Sequence, residues 1–471
     1  MKFTYFFASL LLCAFALSLF ACGPQPAQQV FQATLPVTQN NAPVYTPTPT
    51  FTASPTPTIT PSLTPTATLT LTPTTTPTIT PTLPLLTLTP VSGDGAPPAY
   101  ESGPAPLSAT AGWSCDDFPC EDDLNGFMER IQTPPGFALE HVGQFPGQPM
   151  QLTYGPDGRL YATVLENGTR NGAVYAMDEN GESERYSGDF VSPVGLAFQP
   201  GTDILYVSAR VTLEEGGGLW RVPSSGGEPV PVITDLPCCY SVIDNQPNGL
   251  IFGPDGYLYM GIGSLTDRAE SQNPKSEPYA EIHPLEAAVL RIQPHTGEVA
   301  VYAQGLHNPY DLAFDAAGQL YATDGGLVSG IGDRLLAIDE GGHYGWPYWR
   351  TRGCEECPPK PGNVTISDDL FRFPDNSAPR GLIVYTGTQY PINYFNHLFV
   401  VLWNGIPGGQ RVVRIDPQNI PQAVEDDVLP EAEPFITGLI RPIDVTIAPD
   451  GSLVVADFIY GHVWRVRYVG I

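Results

Sequence analysis

The chain predicts an all-β fold, a six-bladed β-propeller preceded by an export signal and a disordered Thr/Pro-rich tether. Three observations lead there. A short pattern recurs six times, starting at Pro149, Pro193, Pro247, Pro309, Pro379 and Pro442. Each copy reads as Pro, two variable residues and an apolar strand, in most copies followed by a Pro-Asp-Gly-type turn and a second apolar strand, which is a β-hairpin. The copies are 44 to 70 residues apart, the size of a propeller blade.

The clearest copies are Pro149-Met-Gln-Leu-Thr-Tyr-Gly-Pro-Asp-Gly-Arg-Leu-Tyr, Pro247-Asn-Gly-Leu-Ile-Phe-Gly-Pro-Asp-Gly-Tyr-Leu-Tyr and Pro442-Ile-Asp-Val-Thr-Ile-Ala-Pro-Asp-Gly-Ser-Leu-Val-Val. Pro309-Tyr-Asp-Leu-Ala-Phe-Asp-Ala-Ala-Gly-Gln-Leu-Tyr-Ala-Thr-Asp keeps the spacing with a different turn, and Pro193-Val-Gly-Leu-Ala-Phe-Gln-Pro-Gly is shorter. The fifth copy departs most: after Pro379-Arg-Gly-Leu-Ile-Val-Tyr an excursion from Thr386 to His397 replaces the tight turn before the strand Leu398 to Trp403.

Residues 1–22 carry an early Lys2, an apolar run from Phe6 to Phe20 and then Ala21-Cys22-Gly23. The run is short for a permanent membrane span and reads as a signal peptide. A small residue before Cys-Gly resembles a bacterial lipoprotein signal, which makes Cys22 the expected lipidation site and a lipid anchor the expected attachment to a membrane. Phe20 departs from the small or β-branched residue usual there. Residues 23–112 are dominated by Thr-Pro repeats, whose fixed φ and missing donors favour an extended chain without a core. Residues 113–471 hold the repeats and form the folded domain.

The formal net charge of −28 comes from 21 Lys+Arg against 49 Asp+Glu, and Lys275 and Lys360 are the only lysines of the folded domain. Such a surface repels phosphate backbones, so nucleic acid is excluded as a partner. Once the signal is removed and Cys22 lipidated, Cys115, Cys120, Cys238, Cys239, Cys354 and Cys357 remain. An even number in an exported domain predicts disulfides, with fifteen pairings open. Cys354-Glu-Glu-Cys357 has the spacing of a zinc or redox knuckle, but no second knuckle or nearby His completes a tetrahedral set.

Ahead of the first blade, Phe137-Ala-Leu-Glu-His-Val142 reads as a strand. The sixth repeat supplies strands at Ile443 to Ile447, Leu453 to Ala456 and Val463 to Val466, which leaves a fourth place in that blade for it. The ring is therefore expected to close by pairing the first strand with the last blade, so that no sheet edge is left open.

In this topology the loop entering each first strand and the loop leaving each second strand share one rim. Asn245, Gln246, Asn248, His307, Asn308, Asn376, Arg380, Arg441 and Asp444 come from the first set, and Ser264, Asp267, Arg268, Asp324 and Asp457 from the second. Polar side chains at the mouth of a ring are the expected ligand site, and strand-end capping is the competing role for each.

The ordered pieces Gly305-Leu-His-Asn-Pro, Gly342-His-Tyr-Gly-Trp-Pro-Tyr, Ser377-Ala-Pro-Arg-Gly-Leu, Phe435-Ile-Thr-Gly, Arg441-Pro and Val463-Trp-Arg-Val-Arg-Tyr resemble the soluble glucose and sorbosone dehydrogenases, over about Pro134 to Tyr468. The resemblance implies a six-bladed propeller that oxidises CH-OH groups of sugars or polyols with pyrroloquinoline quinone (PQQ) and Ca²⁺. It places Asn245 where the family has its catalytic His, and Asn cannot take a proton. It places His307 at the family's Arg, making His307 the candidate substitute base, and implies Asn248, Asn308, Arg380, Arg441 and Asp444 as cofactor contacts. Asp324 and Asp333 match the family's calcium segment loosely. These departures leave three readings: a PQQ-dependent aldose dehydrogenase with an altered site, a non-catalytic propeller that binds a sugar or a protein partner, and a metal-dependent sugar lactonase using Asp444 or Asp324.

Overall fold

The structure, a computed structural model, describes residues 118–166, 168–213, 216–239, 247–271, 279–327, 332–349, 354–420 and 432–470. The signal, Cys22, the Thr/Pro tether and Asn245 lie outside them. Each repeat folds as expected into the two inner strands of a blade. Blade 1 comprises Gly147–Tyr154, Leu160–Glu166, Asn171–Met177 and Ser183–Arg185, and blade 2 Leu196–Phe198, Leu205–Arg210, Gly217–Val222 and Val230–Leu236. A short strand, Phe190–Val191, pairs with both and joins these two blades into one sheet.

Blade 3 comprises Pro247–Phe252, Leu258–Ile262, Ala288–Ile292 and Val299–Gln304, and blade 4 Asn308–Phe314, Leu320–Gly325, Arg334–Ile338 and Phe371–Arg372. Blade 5 is Pro379–Val384, Leu398–Leu402, Arg411–Ile415 and Glu433–Ile436. Blade 6 takes Pro442–Ile447, Leu453–Asp457 and His462–Tyr468 from the C-terminus, and Phe137–Gln144 adds as its outer strand, from Phe137 opposite Tyr468 to Gln144 opposite His462. The first strand thus closes the ring on the last blade. Inner strands abut in the order 1-2-3-4-5-6-1.

The repeat residues have visible reasons. In the hairpin turns, Gly158, Gly256 and Gly451 hold φ of 82°, 81° and 86°, the left-handed region that glycine enters without strain. The Asp before each of them folds back on the chain: Asp157, Asp255 and Asp450 accept the N–H two residues on, at 3.1, 3.2 and 3.0 Å. The Tyr of the second strand then donates to the same carboxylate, Tyr161 to Asp157 at 2.8 Å and Tyr259 to Asp255 at 2.9 Å.

Proline opens the inner strands of blades 3, 5 and 6 and is second or third in those of blades 4 and 1, and the pairing shifts register immediately after it in all five. Pro cannot donate to a ladder, so a bulge follows and frees the next N–H groups. Hydroxyls on the second strand take over. Thr163 accepts from Gln151 N and donates to Val194 O of the next blade, and Thr323 accepts from Asp311 N and donates to Arg380 O. Ser208 accepts from Gly195 N and donates to Asn248 O. Each hydroxyl therefore ties one blade to its neighbour. Apolar cores fill the spaces between blades, such as Tyr206, Leu250, Met260 and Leu290 between blades 2 and 3, and Phe399, Phe435, Val455 and Trp464 between blades 5 and 6.

The disulfides expected from the cysteine count are present where described. Cys354 is bridged to Cys357, Cys238 to Cys239, and Cys120 is also disulfide-bonded. The Cys354–Cys357 bridge sits with Trp346, Trp349 and Leu327 in a small core beside the rim.

Candidate functional site

The residue two places after each repeat Pro faces the central channel. Around the ring these are Gln151, Gly195, Gly249, Asp311, Gly381 and Asp444. A Cβ at Gly249 would lie 2.7 Å from Asp311 Oδ1 and 2.8 Å from Gln151 Nε2, so glycine there makes room for the polar groups opposite. Asp311 and Asp444 are buried together. Asp311 accepts Leu382 N of blade 5 at 2.7 Å and Leu312 N at 2.8 Å, while Asp444 Oδ2 accepts Leu152 N of blade 1 at 2.6 Å. Asp444 Oδ1 has no donor. Burial pushes Asp311 up to about 7, and burial followed by repulsion from Asp311 holds Asp444 well above the carboxylate range. One proton between the two carboxyls resolves both facts. Tyr310 spans the channel, its hydroxyl donating to Met150 O at 3.0 Å, and Gln151 Nε2 returns a bond to Tyr310 O at 3.3 Å.

Above the plug lies the rim. Asp324 ends the second strand of blade 4, and its Oδ1 accepts His307 N at 3.0 Å and Asn308 N at 2.8 Å. Its Oδ2 accepts Arg334 Nε at 3.0 Å and a terminal nitrogen of the same guanidinium at 2.7 Å, with both side chains fully buried. Arg334 also reaches Asp369 at 2.8 Å, and these two carboxylates hold its pKa above the ordinary value against burial. Asp457 repeats the first half of this device in blade 6, accepting Ile440 N and Arg441 N at 2.8 and 3.0 Å. The Asp that closes the repeat is thus a bracket for the loop entering the first strand.

This settles the geometry at the residues named for calcium. Asp324 is saturated as described, and Asp333 accepts Gly326 N at 2.8 Å and Ala378 N at 3.3 Å. Among the described residues no group of three or more His, Cys, Asp and Glu is placed to hold a metal ion. The pair Asp324 and Asp333 does not fit a calcium site, because its oxygens are spent on backbone N–H groups and Arg334.

His307 is buried, with Nδ1 2.9 Å from Gly325 O and Nε2 3.2 Å from Asp267 Oδ1. A carbonyl only accepts, so Nδ1 carries a proton and Nε2 faces a carboxylate. Neither nitrogen is turned toward open space as a base would be. Beside it, Asn248 Nδ2 donates to Asn308 Oδ1 at 2.8 Å and Pro309 O at 3.0 Å, while Asn248 Oδ1 is buried without a donor.

Across the rim, two guanidiniums flank Trp403, that of Arg380 at 5.7 Å and that of Arg441 at 5.5 Å from the ring centre. Arg380 also lies 4.6 Å from the Tyr310 ring. Arg441 is buried and donates to Trp403 O at 3.0 Å and Asn404 Oδ1 at 3.3 Å, both neutral acceptors. Burial lowers it to about 10, with Asp457 opposing and Arg380 adding repulsion. Among the described residues no carboxylate pairs with the Arg441 guanidinium, an arrangement that suits an anion. Arg268, also counted as a rim cation, is committed to Asp267 at 3.6 Å and Glu356 at 3.0 Å.

Residues 244–460, which run from just before blade 3 into blade 6, match the family described as Glucose / Sorbosone dehydrogenase. Over those residues the chain is similar to that family. An uncharacterized protein of Borreliella burgdorferi is 25% identical over 207 residues, 39% of this chain, and the match spans only 52% of that relative. Among solved structures, the soluble aldose sugar dehydrogenase of Escherichia coli in its apo-form superposes with a TM-score of 0.55 at 18% identity, covering 70% of this chain and 99% of that one. The PQQ-bound form of aldose sugar dehydrogenase from Streptomyces coelicolor gives 0.51 at 20% identity, covering 71% and 99%. At these identities the likeness is one of fold. Within the ring, the residues named from sequence divide in two. Asn248, Asn308 and His307 gather on blades 3 and 4, Arg380 and Arg441 on blades 5 and 6, and Asp444 lies deeper, in the channel.

Sequence reasoning missed Arg334, Asp369, Trp403 and Asp311. Arg334 carried a signal, since it opens the apolar strand Arg334-Leu-Leu-Ala-Ile338, and a charge within a buried strand must have a partner. Asp311 and Asp444 share a repeat position, which also marked them as a pair.

Proposed function

We propose that this is an exported, lipid-anchored, sugar-dehydrogenase-like propeller that binds PQQ at the Arg380, Trp403 and Arg441 side of the rim, with a sugar or polyol as its small-molecule ligand. The observation that carries the reading is the buried Arg441 guanidinium, held by neutral acceptors and repelled by Arg380. A polycarboxylate such as PQQ would neutralise that charge, and Asn248 and Asn308 would give amide contacts from the opposite side. The quinone supplies hydride-accepting chemistry when bound. The chain's own residues would orient the ligand and exclude water, with the channel below closed by Tyr310. Export and anchoring rest on the apolar leader and Cys22.

A second reading, a propeller that binds a sugar or a protein partner without turnover, is favoured by His307. Its two nitrogens face Gly325 O and Asp267, and Asn245 offers no base at the family's His position. The lactonase alternative has less support, because Asp324 is saturated and Asp444 is sunk in the channel. Titrating the purified chain with PQQ by fluorescence quenching, with and without Ca²⁺, tests the binding half. Saturable binding that weakens about tenfold or more in Arg441→Gln is expected, and equal binding by both proteins would overturn the site. Dye reduction with aldoses tests the catalytic half. Turnover lost in His307→Ala supports oxidation through that imidazole, whereas PQQ binding without wild-type turnover supports the binder.

A further inference from the structure

On the outer face of blade 6, far along the chain from the rim residues, the stretch from Cys120 to Ile131 lies across the seam that closes the ring. Its helix, Leu124–Arg130, is capped by Asp123, which accepts Gly126 N at 2.9 Å. Phe127 is the helix's buried residue and packs against the His462 ring at 5.0 Å and Trp464 at 5.6 Å. Arg130 Nε donates to Gly438 O at 2.8 Å, and Gln132 bridges to Thr437. At the other end, Glu121 Oε1 accepts Gln144 Nε2 at 2.7 Å.

Beneath this strap two histidines meet across the closing strands. His462 Nε2 lies 2.8 Å from Glu121 O, and His462 Nδ1 lies 3.1 Å from His141 Nε2. The carbonyl of Glu121 can only accept, so His462 Nε2 holds the proton and its Nδ1 offers a lone pair to the N–H of His141. We propose that this histidine pair is an acid-sensitive latch: neutral, it fastens the strap and the closing strand together, and protonation loosens both. A proton on His462 Nδ1 would point at the His141 N–H, and a second proton, on His141, would place two positive rings in contact under Phe127.

Among the described residues Asp457 is the carboxylate that draws on His462, and the other charged groups nearby are turned elsewhere. Asp457, which attracts His462, already accepts Ile440, Arg441 and Ile459 N–H groups. The Glu121 carboxylate is turned to Gln144, Glu140 lies 3.7 Å from Arg467, and Tyr460 contributes its ring and its carbonyl, the latter to Gln144 at 2.8 Å. Burial lowers the His141 pKa first, repulsion from His462 lowers it further, and a backbone hydrogen bond at Gly143 opposes them. A histidine depressed in the folded state stabilises the fold above its unfolded pKa, and that stability is lost as pH falls. The docked strap therefore belongs to neutral pH and its release to acid. Because the strap connects the preceding chain to the ring, release would lengthen the tether and uncover Trp464.

Hydrogen exchange of the full chain at pH 7.5 and pH 5, corrected for the intrinsic pH dependence of exchange, tests the latch. At pH 5 the amides of Phe127 and Ile131 should lose protection about tenfold or more, relative to inner-strand amides such as Leu453. His141→Gln keeps a donor for His462 Nδ1 without a titrating ring, and its strap should stay protected at both pH values. Limited proteolysis at the strap provides the same readout for His462→Gln if exchange data are sparse. Equal wild-type protection at the two pH values, or an unchanged acid loss in His141→Gln, would overturn the proposal.

Discussion

Replacing Asp444 by Asn probes the channel through a near-isosteric change. Asp444 Oδ2 keeps its bond from Leu152 N, while Oδ1, which has no donor, becomes an NH₂ group facing Asp311. The variant thus supplies permanently the hydrogen that the wild type takes up as a shared proton. The sign follows from the direction of the shift. Asp311 is raised from 3.8 to about 7, so folding binds a proton that the unfolded chain releases, and stability falls as pH rises through that window. Between pH 5 and pH 7 the loss is on the order of a few kcal/mol, and it stays lost above pH 7. Asp444→Asn keeps the buried Asp311 and shares that loss, but it lacks the second raised carboxyl and escapes the further loss that Asp444 brings as pH rises. Thermal unfolding of both proteins at pH 5 and pH 8.5 should therefore show the difference in Tm, variant minus wild type, growing by on the order of 5 °C at the higher pH. A difference that stays constant, or a variant that loses ground at pH 8.5, would refute the shared proton.

Two further outcomes follow from the same geometry and from the leader. Arg334→Leu leaves Asp324 as a buried charge held only by backbone N–H groups, removes a partner of Asp369, and should cost about 3–5 kcal/mol in denaturant unfolding, partly recovered in the double variant with Asp324→Asn. Wild type should partition into detergent, Cys22→Ser should be released or processed differently, and deletion of residues 45–90 should leave the Tm of the ring unchanged. Finding wild-type protein free in the medium would count against the anchor.

How much of this was legible in the sequence differs between fold and site. The turn residues, the Tyr that reaches back to the turn Asp, and the Pro that begins each bulge act within a dozen residues, so their pattern alone specified six hairpins and the strand missing from the last blade. Periodicity is local information, and the blades are built from local pairing. The competing roles of the rim polar residues could not be separated that way. Asp324 and Asp457 prove to be brackets for loops 16 or 17 residues earlier in the chain, and Asp333 binds backbone 45 residues away. His307 was legible as the family's altered position but not as a ring held between Gly325 O and Asp267.

The sequence by itself determined the class of fold, the closure of the ring, the disulfide-bonded character of the domain, and the identity of the residues that crowd its rim. Only the tertiary structure decided which of those residues are spent on the fold and which, like Arg441, hold their charge against neutral acceptors. Asp311 and Asp444 lie 133 positions apart, yet ring closure brings them close enough to share a proton. Arg441 acquires its surplus charge because blade 5 brings Trp403 and Arg380 beside it. Protonation and charge compensation depend on distance and burial across blades, and those are set when the ring closes.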